Sequence, residues 1–135
     1  MRKLGLALTT LAVSLAVLWG SAAAAQARSF TVLAVQQGDG HGDRNSFVFH
    51  ERLFAKNGEH VGRNRVEFTR EGRRSFQVKA LFRFQGGKIR VAGPLSRGTT
   101  VLRITGGKGR YHGISGRLVV KEKENFNRET FHFSL

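Results

Sequence analysis

The residue in this sequence best placed for chemistry is Glu51. In the run Ser46–Phe54, SFVFHERLF, strict alternation puts Phe47, Phe49, Glu51 and Leu53 on one face of a strand. Three of these four are strongly apolar, so the face they share is an inner one. A carboxylate held there loses hydration, which raises its pKa and prepares it to give or take a proton. The other placement open to it is a wet rim, paired with an arginine. The remaining candidates form no constellation. His41, His50, His60, His112 and His132 show no i, i+2 or HxxxH pairing on one strand, and the chain has no cysteine, so neither a metal site nor a cofactor is expected. His41-Gly42-Asp43 falls in a flexible loop and offers at most an adventitious ligand pair. Ser115 lies in a glycine-rich turn with no nucleophile elbow around it.

That turn belongs to the stretch Ile104–Val120, ITGGKGRYHGISGRLVV. Gly106, Gly107, Gly109, Gly113 and Gly116 stand between the apolar runs Val101–Ile104 and Leu118–Val120. The spacing predicts a compact structural turn pinned between two strands, with Tyr111, its one large side chain, plugging an end of the core. Neither phosphate-binding loop fits. A dinucleotide loop needs a helix N-terminus, and the RLVVKEK that follows alternates like a strand. A Walker A loop needs Ser or Thr after its lysine, and Lys108 is followed by Gly109.

The elements that must carry these residues are all strands. Period-2 alternation predicts eight, over Ser29–Gln36, Ser46–Phe54, Val61–Thr69, Ser75–Phe84, Lys88–Gly93, Thr99–Thr105, Gly116–Lys123 and Arg128–Leu135. Turn signals such as Lys56-Asn57-Gly58-Glu59, Glu71-Gly72 and Gly86-Gly87 separate them, and such short links imply antiparallel neighbours. Phe76, Val78, Ala80, Phe82 and Phe84 share one face, against Gln77, Lys79 and Arg83. Ile89 and Val91 oppose Lys88 and Arg90. Phe131, Phe133 and Leu135 oppose Thr130, His132 and Ser134. One dry face and one wet face on eight short strands mean a barrel or a sandwich.

Of the 135 residues, the first 27 read as a secretory signal peptide: Arg2 and Lys3, an apolar run from Leu4 to Trp19, and the Ala25-Gln26-Ala27 cleavage site. The run is too short for a retained span. A single mature domain, Arg28–Leu135, is expected. Without Arg2 and Lys3 it keeps 21 Lys and Arg against nine Asp and Glu, a net charge of +12, and all eleven phenylalanines. Such a charge favours acidic partners such as an anionic cell-surface polymer, while its scatter gives no sign of a specific nucleic-acid partner. With no disulfide available, the core alone must hold the fold.

The segment IRVAGPLSRGTTVLRITGGKGRYHGISGRLVV resembles the C-terminal half of the allene oxide cyclase barrel family and, more distantly, the dirigent proteins. GDRNSFVFHERLFAKNGEHVGR, from Gly42, resembles the bacterial secreted branch of that family, so the likeness covers most of the mature chain. It implies an all-β fold, an eight-stranded antiparallel up-and-down barrel whose interior is filled or holds one small ligand. It also places Glu51 where those cyclases carry an asparagine, Phe68 at a cysteine position, and Leu95, after Gly93-Pro94, at a tyrosine position. The glutamate of the family's first strand and the proline after it have no counterpart around Phe30–Gln36. The resemblance thus implies the fold more than the reaction. Phe47, Phe49, Phe68 and Leu95 form the expected ligand-lining set. Three functions stay open: a secreted barrel binding a small hydrophobic molecule and steering its coupling or cyclisation; a cyclase or isomerase using Glu51; and a filled barrel whose basic exterior binds the cell envelope. A cavity near the ~300 Å³ lower bound for ligand pockets would favour the first two. Association into an oligomer, as in plant relatives of both families, also stays open.

Overall fold

The computed structural model describes residues 27–135; all of the expected leader except Ala27 lies outside them. Alternation of bulky apolar and charged residues gives eight strands. They are β1 (Arg28–Gly42), β2 (Ser46–Phe54), β3 (His60–Arg70), β4 (Phe76–Phe84), β5 (Gly87–Pro94), β6 (Thr99–Gly109), β7 (Ser115–Glu122) and β8 (Asn127–Ser134). Each pairs antiparallel with the next, and β8 returns to β1, closing an eight-stranded barrel without a crossover. Closure removes every free sheet edge. At the seam the Thr31 and Thr130 hydroxyls meet at 2.9 Å.

The core is the barrel interior, and Leu53, Phe82, Ile89, Leu118 and Phe131 are essentially sealed from solvent. The faces expected for β2, β4 and β5 are the inner ones. Leu135 is an exception: it lies beyond β8 and is 45% exposed.

The largest departures from the sequence reading are in β1 and β6. β1 continues past Gln36 to Gly42, so His41 and Gly42 belong to a strand and not to a flexible loop. Its register with β2 jumps between Gln37 and His41, an irregularity of the kind that bends a strand. Asp43 caps the turn that follows by accepting from the backbone N–H groups of Asn45 and Ser46, at 2.8 and 2.9 Å. Those two bonds hold its carboxyl below the usual range.

β6 likewise runs on through Gly106, Gly107 and Gly109, pairing with β5, and the turn itself is only Arg110–Gly113. Gly109 has φ +65°, and a Cβ there would run into the Gly86 carbonyl. Gly107 needs no special φ; a Cβ on it would meet the Tyr111 carbonyl and stand 2.6 Å from Ile114 Cγ2. Gly107 lets the strand lie against its own turn, and Gly109 lets it lie against the Gly86–Gly87 turn that precedes the rest of β5. Tyr111, half-buried, presents its ring to Phe84 at 5.8 Å and closes that end of the barrel.

Candidate functional site

Glu51 sits inside the barrel and is 3% exposed. Its partners are amides, not an arginine. Asn64, directly opposite on β3, donates its Nδ2–H to Glu51 Oε1 at 3.0 Å. Asn127, at the start of β8, reaches Glu51 Oε2 at a long 3.5 Å. Burial raises the Glu51 pKa, and the two amide hydrogen bonds oppose that rise.

A second carboxylate is buried beside it. Glu129 of β8 is also 3% exposed, and its Oε2 has no hydrogen-bond partner. Burial pushes its pKa well above the usual range, and the neighbouring Glu51 charge adds to the rise. The two acids therefore separate. Glu51, with its amide donors, is the one that ionises first, while Glu129 keeps its proton to higher pH. Asn64 Oδ1 is a further buried acceptor without a partner. Two unmet polar atoms at one site are costly to keep in a small apolar core.

Glu51, Asn127 and Glu129 line a cavity of about 70 Å³, with Phe49, Phe68, Phe82 and Leu102 as its apolar wall and Leu95 and Glu122 also lining it, while Asn64 stands outside this lining. Of the expected site residues, Glu51, Phe49, Phe68 and Leu95 come together here. Phe47 does not line the cavity; it packs behind Phe49, ring centres 6.2 Å apart. The volume is far below the ~300 Å³ of ordinary ligand pockets and close to that of two waters. A larger depression of about 700 Å³ lies at the opposite end, beside Phe30, His60 and Tyr111, but it is broadly open. Polar groups converge in the small inner cavity. Among the described residues, no group of three or more His, Asp or Glu side chains is placed to hold a metal ion.

Sequence reasoning reached Glu51 and missed Glu129. The signal was present: Glu129 has the parity of Phe131 and Phe133, so extending the alternation back past Thr130 places it inside. Asn64 and Asn127 were not accessible in that way, because their role depends on which residues the register sets opposite Glu51.

No protein-family model matches the chain, and no curated protein is similar to it in sequence. Solved structures are similar to it in shape. A pyocyanin demethylase superposes with a TM-score of 0.63 at 16% identity, over 79% of this chain and 100% of that one. The Diels–Alderase AbmU from Streptomyces koyangensis superposes with a TM-score of 0.68 at 13% identity, over 81% of this chain. This chain spans only 64% of AbmU. The pterocarpan synthase dirigent protein PsPTS1 gives 0.55 at 12% identity, over 80% of this chain and 93% of that one. The fold is a dirigent/cyclase-like barrel. The resemblance carried by the glycine-rich stretch holds at that level, and the narrower assignment to allene oxide cyclases is not supported. In this dirigent/cyclase-like barrel the acids stand on β2 and β8, which flank β1 on either side of the seam.

Proposed function

We propose that this barrel takes a small, largely apolar molecule into its cavity end, holds it by a polar group, and steers its coupling or cyclisation. The observation that carries the reading is the buried Glu51, Asn64 and Glu129 with half-buried Asn127 beside them, a group in which Asn64 Oδ1 and Glu129 Oε2 meet no partner. A barrel that was merely filled would have no use for two buried carboxyls, since apolar residues of similar volume would stabilise it at least as well. The solved barrels of the same fold are named for a cycloaddition, a pterocarpan synthesis and a pyocyanin demethylation, which supports small-molecule chemistry of this kind.

Chemically, a carboxyl that stays protonated in an apolar cavity is a hydrogen-bond donor aimed at a substrate carbonyl or hydroxyl. Glu129 has that role, and the Glu51 carboxylate is the complementary acceptor. The phenylalanine wall fixes the conformation in which reacting carbons meet. The present volume means that the rim around Leu95 must open to admit anything larger than water. In this reading the mature chain is exported and begins at Arg28, as its leader-like N-terminus suggests.

The same small volume favours a second reading, in which the barrel is filled and the protein acts through its surface. Native mass spectrometry of protein collected from its own host's medium separates the two. The expected result is a chain beginning at Arg28 with a co-purifying small molecule that Glu51→Gln/Glu129→Gln loses. A bare barrel, together with NMR titration of both glutamates near the ordinary ~4.3, overturns the ligand reading.

A further inference from the structure

Across five neighbouring strands the outer face carries cations in register. Arg52 of β2 stands opposite Arg63 of β3, Arg63 opposite Arg83 of β4, Arg83 opposite Lys88 of β5, and Lys88 opposite Lys108 of β6. Four of the five are exposed and Lys88 is half-buried. One row along, Arg65 and Arg90 stand on either side of Leu81, with His50 at the end of the row. Like charges directly opposite each other destabilise a sheet, so this row works against the fold that bears it. None of its five cations is in an ion pair: the one pair among the described residues, Arg65–Glu67 at 3.6 Å, belongs to the neighbouring row. Beside the ladder lies a shallow depression of about 380 Å³, lined by Arg65, Lys79 and Arg90, by one carboxylate, Glu67, and by Leu81, Ala92 and Thr105. Thr105 is the extra residue of the bulge that shifts the β5–β6 register.

We propose that this ladder is the binding site for a flexible, linear polyanion carrying phosphodiester or carboxylate groups and no aromatic bases. Neighbouring strands lie ~4.8 Å apart, so five cations in a row make a track about 19 Å long. Guanidinium groups grip carboxylates and phosphates in two-point contacts, and three of the five are arginines. The partner is flexible because five of the eight strands wrap about half of the barrel's circumference. A flat bilayer or a stiff duplex meets only part of such a curve, whereas a flexible chain follows all of it. The partner lacks bases because neither row contains Phe, Tyr or Trp, and single-stranded nucleic acids are held largely by stacking on aromatic rings. The site is independent of whether the interior is open or filled.

The test measures binding of the full mature chain to fluorescent poly(glycerol phosphate) and polygalacturonate, with an oligo-dT strand and anionic phospholipid vesicles alongside. Tightest binding to one of the two base-free polymers is expected. Arg63→Gln/Arg83→Gln/Lys88→Gln should weaken it at least about tenfold at low salt and flatten the log–log salt slope by about 2, at roughly 0.7 per lost charge contact. Arg117→Gln/Lys121→Gln/Arg128→Gln removes the same charge from β7 and β8 and should change affinity less than about twofold. Circular dichroism melting confirms that both variants are folded, and relief of repulsion leaves the ladder variant no less stable than the wild type. An equal loss in the β7–β8 variant reduces the effect to net charge and overturns the site. So does tighter binding to oligo-dT or vesicles, an unaffected ladder variant, or no binding to either polymer.

Discussion

On the inner face of β8, Phe131 and Glu129 are two residues apart and equally buried, yet their surroundings are opposite. Phe131 stacks on Phe30 at 4.8 Å and takes the edge-to-face positions of Phe82 at 5.0 Å and Phe84 at 6.0 Å. Phe133 and Tyr111 extend the cluster through Phe30 and Phe84. Glu129 ends in an oxygen that meets no hydrogen-bond partner. One strand thus runs from a plugged end, where every side chain stabilises, to a cavity end that carries destabilising groups. Adjacent inner positions of one strand face the same apolar demand, so the difference marks where the fold gives up stability for something else.

Three perturbations sharpen or break that contrast. The largest effect belongs to the plugged end. Phe131→Ala should lower unfolding free energy by about 3–5 kcal/mol, because the aromatic cluster cannot collapse into the space. Denaturant melts read this directly, and a loss under ~1 kcal/mol would show that the cluster is not the anchor of the barrel. Next come the glycines that close the same end. Gly107→Val and Gly109→Val should each cost on the order of 1–3 kcal/mol, the first through collision with the Tyr111 carbonyl, the second through strain at positive φ. Wild-type melting temperatures in both variants would break that claim.

The smallest effect lies at the cavity end and has the opposite character. Above the ordinary glutamate value the unfolded chain releases its proton while folded Glu129 retains it, so the folded state binds more protons. Stability then falls as pH rises from about 4.5 toward the raised folded value, and Glu51 adds in the same direction. Glu129→Gln should flatten this decline above the ordinary glutamate value, with the smallest change at the acid end, where the wild-type side chain is neutral in both states. Thermal melts across that range decide it. An identical slope in wild type and variant would mean that Glu129 is not held protonated.

The sequence made the barrel legible because most strands alternate, and alternation survives without knowledge of partners. It also made one acid legible, because Glu51 interrupts an apolar series and stands out. Glu129 opens its series beside Asn127 at the end of a strand, where boundaries are least certain, and so escaped notice. The glycine stretch reads as a turn because glycine density signals turns; only the β5–β6 pairing shows that Gly106–Gly109 are strand. Phe47 shares the parity of Phe49 but sits one layer too near the end of β2 to reach the cavity. The cation ladder is invisible in one dimension, since its five members come from five strands.

The β1–β8 seam has a consequence for how the chain acquires its structure. Its pairing joins Thr31 to Thr130, 99 positions apart, so the first strand made waits for the last. Contacts this distant in sequence make folding slow, because a long loop must close before any pairing rewards it. Until β8 has been synthesised, β1 and β7 are open edges, and no partial barrel is a stable resting place. Completion of this fold is therefore an event that follows synthesis, and the interval before it is a window in which the chain remains threadable.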